Sequence, residues 1–423
     1  MPMWTSSLRP WALLASLLLV PDVSRSRVEL PPHPVFAPQP IPNPEHEPLR
    51  EQFRLPVEPF RILGNSRPGP AAEDIDDPNG LAFDQRGLLL ATDSRNLRIQ
   101  VWDVQTGRHV GSFGSAAKIP KGEMVDLAVA PDGTVLVTDE ERNRAYAFAP
   151  AAQGGEPYTF LERDPLPGET YKKLGGILID ASSNIYTVDA ELNVVRKHGW
   201  DGAPDPSWRF PLMRTEKDTF LKNAEGIALD EERGTLYVAS EFDFVVHLFD
   251  ARTGAFRKQA IGAHLDPATN ELSGTHVFTG SWSIYSGSPE GLSLLHGYLF
   301  AVDEFAGHVH IFDTLNPAVY NRDLVELARL ERAARGSSGY VGFVGHTPVI
   351  ALENQAHKKQ IKQRQLNPAA YNPPGFLCSP DSVATYFDEK EGEGYIAVAD
   401  QCNYRIVVYR WSEIARAASL ARR

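Results

Sequence analysis

At 423 residues the chain can bury a large core, and its formal net charge of −12 argues against nucleic acid and anionic membranes as partners. The 42% hydrophobic content with 33 glycines and 33 prolines suits strands and turns better than a helical bundle. Two cysteines, Cys378 and Cys402, leave no zinc or iron–sulfur spacing.

The N-terminus reads as an export signal over residues 1–26. Arg9 precedes the apolar run WALLASLLLV at 11–20, which is too short to span a bilayer and suits a signal-peptide core. This predicts a secreted or periplasmic protein with no integral membrane segment after signal removal. Residues 27–52 form a linker with proline at nearly every second position between 31 and 48, extended and without a core. The folded body is expected over 53–423.

Within that body one unit recurs: 79–103, 125–149, 175–199, 224–250, 290–313 and 381–409. Each reads as an apolar strand, a Gly/Asp turn, a second apolar strand ending in Asp or Ser, a polar turn and an alternating third strand. Fourth strands follow several units at 109–114, 156–162 and 256–262, but the last unit runs instead into WSEIARAASLARR, a short helix. The segment FRILG at 60–64 resembles the fourth strands and precedes the first unit. The pattern predicts an all-β fold, a six-bladed β-propeller whose last blade is completed by the N-terminal strand, so that no sheet edge stays open.

Two inserts interrupt the rhythm, one at 263–288 and one at 314–377. The second holds a helical stretch at 321–335 and a basic run, HKKQIKQRQ, at 357–365, which reads as a solvated loop or an anion-attracting lid. In the last unit Cys378 stands just before the first strand and Cys402 just after the second. Those positions neighbour each other in a hairpin, which predicts a Cys378–Cys402 disulfide contributing on the order of 3 kcal/mol.

In a propeller the first strand of each blade lines the central channel. Asn79, Val125 with Asp126, Gly175, Glu225, Glu290 and Asp381 therefore converge at one end of the axis, joined by Asp93, Asp139, Asp189, Ser240 with Glu241, Asp303 with Glu304, and Asp400 from the ends of the second strands. The recurrent Asp93, Asp139, Asp189 and Asp400 read as acceptors for turn N–H groups. Glu225, Glu241, Glu290 and Asp381 do not recur in every unit; like charges so close must protonate or gather a cation, and hard oxygen ligands suit Ca²⁺. His308 and His310 alternate on one strand face and read more simply as packed strand histidines than as a metal pair.

Several segments carry a resemblance. Asp74-Ile75-Asp76-Asp77-Pro78, Glu225-Gly226 with Asp230, Leu236-Tyr237, Ala239 and Glu241, then Glu290-Gly291-Leu292, Asp381-Ser382-Val383, and Asn403-Tyr404-Arg405-Ile406 with Trp411 and Ile414-Ala415 follow one another in order. In them the chain resembles the β-propeller phytases, six-bladed secreted enzymes that use calcium to release phosphate from inositol phosphates. The resemblance implies that Glu225, Glu241, Glu290 and Asp381 hold a catalytic calcium cluster, that Asp76 and Asp77 hold a more structural calcium, and that the substrate is a small phosphorylated or anionic molecule bound through metal. Arg95 and Arg98 lie near the lysines expected in the first blade and stand as the substrate-binding candidates. Ser288 replaces a family carboxylate, and Val125-Asp126-Leu127-Ala128 lacks the family's arginine, so the phosphate-clamping side is depleted. A looser resemblance joins residues 79–103 to NHL-type repeats, whose propellers commonly bind a protein or glycan, and to the gluconolactonase-type propellers, which place Glu, Asn and Asp around one axial metal. Non-catalytic binding and metal-dependent lactone hydrolysis are therefore the alternatives.

Overall fold

A computed structural model describes residues 52–114, 122–152, 155–210, 221–241, 245–266, 268, 289–304, 306–345 and 374–420. The export signal, the proline-rich segment up to 51, most of the 263–288 insert, Ser288 and the basic run at 357–365 lie outside the described residues. No helix among the described residues is long and apolar enough to cross a membrane.

Six small sheets follow one another along the chain, and they are the blades of a six-bladed β-propeller. The innermost strands are Leu81–Phe83, Met124–Val129, Leu174–Ile179, Ala224–Asp230, Pro289–Leu295 and Pro380–Asp388. Each pairs antiparallel with a second strand that is almost wholly buried. Burial on both faces follows from the two-residue period of a strand, because alternate side chains feed two different cores. Val135 and Val137 pack toward the first blade, whereas Leu136 packs toward the third. Leu236 and Val238 join the third blade, and Tyr237 and Ala239 join the fifth. Every pair of neighbouring blades shares an apolar cluster, including the sixth with the first. The ring is therefore closed by packing as well as by hydrogen bonds, and a row of independent hairpin domains is excluded.

The closing strand is Arg61–Leu63. It pairs antiparallel with Arg405–Arg410, with Leu63 opposite Ile406 and Arg61 opposite Val408. The fourth strands Arg108–Phe113, Tyr158–Leu161 and Phe256–Gly262 fall on the segments read from the sequence. The fifth blade takes its outer strand, Tyr340–Val344, only after the helix Leu324–Ala333. That helix starts at a capping box made by Asp323 and Glu326, and buries Leu324, Leu327 and Ala328 from one face. The third blade has three strands among the described residues, and the fourth gains a short parallel strand, Arg322–Asp323. Cys378 and Cys402 are joined by a disulfide with a Cα–Cα distance of 5.4 Å.

One buried group makes the fold acid-sensitive. His247, in the strand Val245–Asp250, is fully buried, and neither ring nitrogen has a hydrogen-bond partner among the described residues. Burial pushes its imidazole down from 6.5 to about 3. The unfolded chain therefore binds a proton that the folded chain refuses at any pH between those values, and stability falls as pH drops through that window. At about pH 5 this difference is worth ~2 kcal/mol. Denaturant unfolding of His247→Leu is expected to lose ~2 kcal/mol less than wild type between about pH 8 and pH 5. Equal losses in the two proteins would show that His247 is protonated without cost.

Candidate metal centre

At the end of the axis where the inner strands begin, the backbone departs from regular pairing. The register shifts between Met124 and Asp126, Leu174 and Ile177, Ala224 and Ile227, Pro289 and Leu292, and Pro380 and Val383. Glu225-Gly226, Glu290-Gly291 and Asp381-Ser382 sit inside these irregularities. Such bulges release a residue from the ladder and re-aim its side chain, here toward the channel. The channel holds a cavity of about 490 Å³. Its polar wall is Asn79, Glu123, Asp126, Glu140, Lys173, Glu225, Glu290, Asp381 and Gln401, and below these it is lined by the apolar residues Leu81, Leu127, Ile177, Ile227, Leu292 and Val383.

Glu241, Glu290 and Glu304 each bring a carboxylate oxygen within 4.8 Å of the others. Glu290 carries the strongest electrostatic load. Burial raises its carboxyl well above the ordinary range, and the charges of Glu304, Asp381, Glu241 and Glu225 push it further. Neutral donors reach the group: the Asn223 side-chain amide donates to Glu225 Oε1 (2.7 Å) and to Glu241, and the Ser379 hydroxyl donates to Glu304. Gln401 Nε2 donates to Asp381 Oδ2 (3.0 Å) and to Asn79 Oδ1 (2.8 Å). The disulfide ties together Cys378, adjacent to Ser379, and Cys402, adjacent to Gln401, so it holds two donors of the site in register.

Glu225 faces a different partner. Its Oε1 lies 3.3 Å from Lys173 Nζ, which is also 3.6 Å from Glu140 Oε2. Burial raises the Glu225 carboxyl, Lys173 opposes the rise, and Glu241 and Glu140 add to it; the result is about 7. Asp126, across the cavity, is also pushed up to about 7 by burial, even though its carboxylate accepts from the Ile177 and Leu127 backbone N–H groups.

The structure thus gathers Glu241 and Glu290 as the sequence suggested and adds Glu304. It places Glu225 on the edge of that group beside Lys173, and Asp381 on Gln401. Glu304 follows Asp303 at the end of a second strand, but sequence alone does not say which of the two side chains turns inward. Asp303 turns into the blade, where it accepts from the Ala306 N–H (2.9 Å) and lies 3.4 Å from His310 Nε2. His308 and His310 are both buried in that blade, His308 stacked on Phe343 and His310 bonded to the Tyr340 hydroxyl.

The recurrent aspartates build the fold. Asp93, Asp139, Asp189 and Asp400 are fully buried and accept from the backbone N–H groups of Asp76, Glu123, Lys172 and Cys378, respectively, in the segments leading into the inner strands. In the fourth blade the Ser240 hydroxyl takes this part, accepting from the Lys222 N–H.

The candidate substrate-binding arginines do not reach the cavity. Arg98 donates to Asp93 and to the carbonyls of Pro70, Ala71 and Asp74. Arg95 Nε lies 3.1 Å from Asp77 Oδ2, and its Nη1 is 3.8 Å from Asp76 Oδ1. The expected first-blade calcium ligands are therefore already paired with a guanidinium. Both arginines follow the second strand of the first blade, and neither lines the cavity.

No protein-family model matches the chain, and no curated protein matches it. Among solved structures, the PQQ-bound aldose sugar dehydrogenase of Streptomyces coelicolor is similar at 15% identity over 84% of this chain and 98% of that one, with a TM-score of 0.48. The gluconolactonase XC5397 of Xanthomonas campestris is similar at 15% identity over 84% and 96%, with a TM-score of 0.46. A chain of a nidogen/laminin complex is similar at 17% identity over 58% and 78%, with a TM-score of 0.39. At these identities the likeness is one of fold and carries no statement about chemistry.

Proposed function

We propose that this propeller is an exported, divalent-cation-dependent hydrolase whose axial cavity opens a lactone or ester of low charge. One observation carries the reading: Glu241, Glu290 and Glu304 bring carboxylate oxygens together, and Glu290 also lines a cavity whose wall has Lys173 as its only lysine or arginine among the described residues. Three carboxylate oxygens within 4.8 Å of one another fit a single hard cation. Oxygen ligands on opposite sides of Ca²⁺ lie about 4.6–5.2 Å apart, farther than around Mg²⁺. Glu241, Glu290 and Glu304 would hold the ion, with Asp381 beside them. A bound cation supplies Lewis-acid polarisation of an ester oxygen and makes water more acidic near neutral pH.

The remaining roles fall to the chain itself. Asp126, with a carboxyl at about 7, exchanges a proton near neutrality, as a general acid or base requires. Asn79 and Gln401 orient Asp381 through the amide chain already described. The apolar wall below limits water and accepts a hydrocarbon or sugar ring. A polyphosphate is a poor fit, because carboxylates dominate the wall and the ammonium of Lys173 is already paired. The disulfide supports the export reading, since such bonds persist in oxidising compartments.

Phosphoric ester hydrolysis with Ca²⁺ remains the second reading, favoured by carboxylates beyond those one ion needs. Purified protein given aldonolactones, simple carboxylic esters and phytate, with Ca²⁺ and then with chelator, separates the possibilities. The expected result is ester opening that chelation removes and Ca²⁺ restores, with no phosphate release. Phosphate release would establish the second reading. Turnover of nothing, with no calcium-dependent rise in melting temperature, would leave a propeller that binds a protein or glycan.

A further inference from the structure

Lys173 immediately precedes the inner strand of the third blade, yet its ammonium serves the blades on either side. Glu140 belongs to the second blade and Glu225 to the fourth, and both carboxylates are within 3.6 Å of Nζ. Its side chain is 32% exposed, on the cavity wall. Three consecutive blades thus meet at one positive charge, and that charge lies among carboxylates that otherwise continue the ring of Glu241, Glu290 and Glu304.

We infer that the ammonium of Lys173 is a built-in cation, standing where a second metal ion would bind, so that the axial ring takes one exchangeable divalent cation and no more. This rests on the metal reading of the site. Two ions sharing the ring would need Glu225 as a ligand common to both. Glu225 Oε1 is instead held by Lys173 at 3.3 Å and by Asn223 Nδ2 at 2.7 Å. An ammonium is a compact point charge with three donors; it satisfies two carboxylates at once and repels a dication from the space beside them. The substitution of one fixed charge for one ion also explains why the cavity wall, although acidic, is not uniformly so. Glu140, Lys173 and Glu225 form a neutralised sector beside the close group of Glu241, Glu290 and Glu304.

The test counts calcium by equilibrium dialysis against the folded full chain, in wild type, Glu290→Gln, Lys173→Met and Lys173→Arg. The inference expects Glu290→Gln to lose one Ca²⁺ relative to wild type, Lys173→Met to gain one, and Lys173→Arg to match wild type because the charge is kept. Loss of two ions in Glu290→Gln would overturn it, and that comparison holds even if Lys173→Met does not fold. An unchanged count in folded Lys173→Met would overturn it as well. If Glu290→Gln loses none, the metal reading of the function fails. A calcium gained by Lys173→Met in that case would still support the lysine as a cation stand-in, and none gained would overturn both.

Discussion

Glu290→Gln is expected to lower calcium-dependent turnover by at least ~100-fold, and at neutral pH without calcium to raise the melting temperature above that of wild type. The two effects have one cause. Glu290 sits in the wall of the channel with its carboxyl raised by burial and by Glu304, Asp381, Glu241 and Glu225. A carboxyl whose folded value exceeds its unfolded value stabilises the fold only below the unfolded value, and that contribution disappears as pH rises toward the folded one. Near neutral pH the wild-type chain without metal therefore folds against the cost of protonating or crowding this group. Glutamine has the same shape and no such cost. A cation bound to Glu241, Glu290 and Glu304 turns the same repulsion into attraction, and a ligand that binds only the folded state stabilises it by mass action. Calcium should thus raise the melting temperature of wild type and leave Glu290→Gln nearly unmoved. A variant that retains both activity and a wild-type calcium response would remove Glu290 from the centre and the metal reading with it.

The fold was legible because its signal is repetitive. Recurring short apolar runs, closed by a buried aspartate or, in the fourth unit, by Ser240, specify a ring of blades, and FRILG at 60–64 specifies how the ring shuts. The outer strand of the fifth blade was not legible, since the helix Leu324–Ala333 separates Tyr340–Val344 from the strand it joins. The axial position of Glu225, Glu290 and Asp381 followed from their place at the start of inner strands. Lys173 is not legible from the repeat, because it precedes an inner strand and lies outside the recurring apolar unit. Lys173, Asn223 and Ser379 all occupy that preceding position, and all three bond to an axial glutamate. They stand two residues before Gly175, Glu225 and Asp381, respectively. Arg95 and Arg98 are placed away from the cavity wall. They lie farther past the end of their second strand than Glu241 and Glu304 do, and there they pair with Asp77 and Asp93.

The glycines that follow Glu225 and Glu290 hold the fold and the site to a single geometry, and Gly226→Ala is expected to cost about 2–3 kcal/mol and to remove activity. A Cβ at Gly226 would lie 2.0 Å from the Glu290 carbonyl oxygen and 3.0 Å from its carbon. These are backbone atoms of the neighbouring inner strand, which cannot move aside as a flexible side chain would. The same close approach recurs around the ring: a Cβ at Gly80 would meet the Asp126 Cα at 2.5 Å, at Gly176 the Glu225 carbonyl oxygen at 2.6 Å, and at Gly291 the Ser382 Cα at 2.5 Å. At these four glycines the inner strands pack backbone to backbone around one axis, and only hydrogen fits between. Forcing the fourth blade away from the fifth would also shift Glu225 against Glu290, since each sits beside the contact. Gly175 supplies the control. It lies in the corresponding irregularity of the third blade, and a Cβ there would meet only Glu225 Oε2, at an ordinary 3.5 Å. Gly175→Ala should therefore stay within ~0.5 kcal/mol of wild type. Denaturant unfolding of the two variants side by side checks the argument. Equal stabilities would mean that the inner strands have slack, and that the carboxylates at the axis are placed by something other than the packing of the ring.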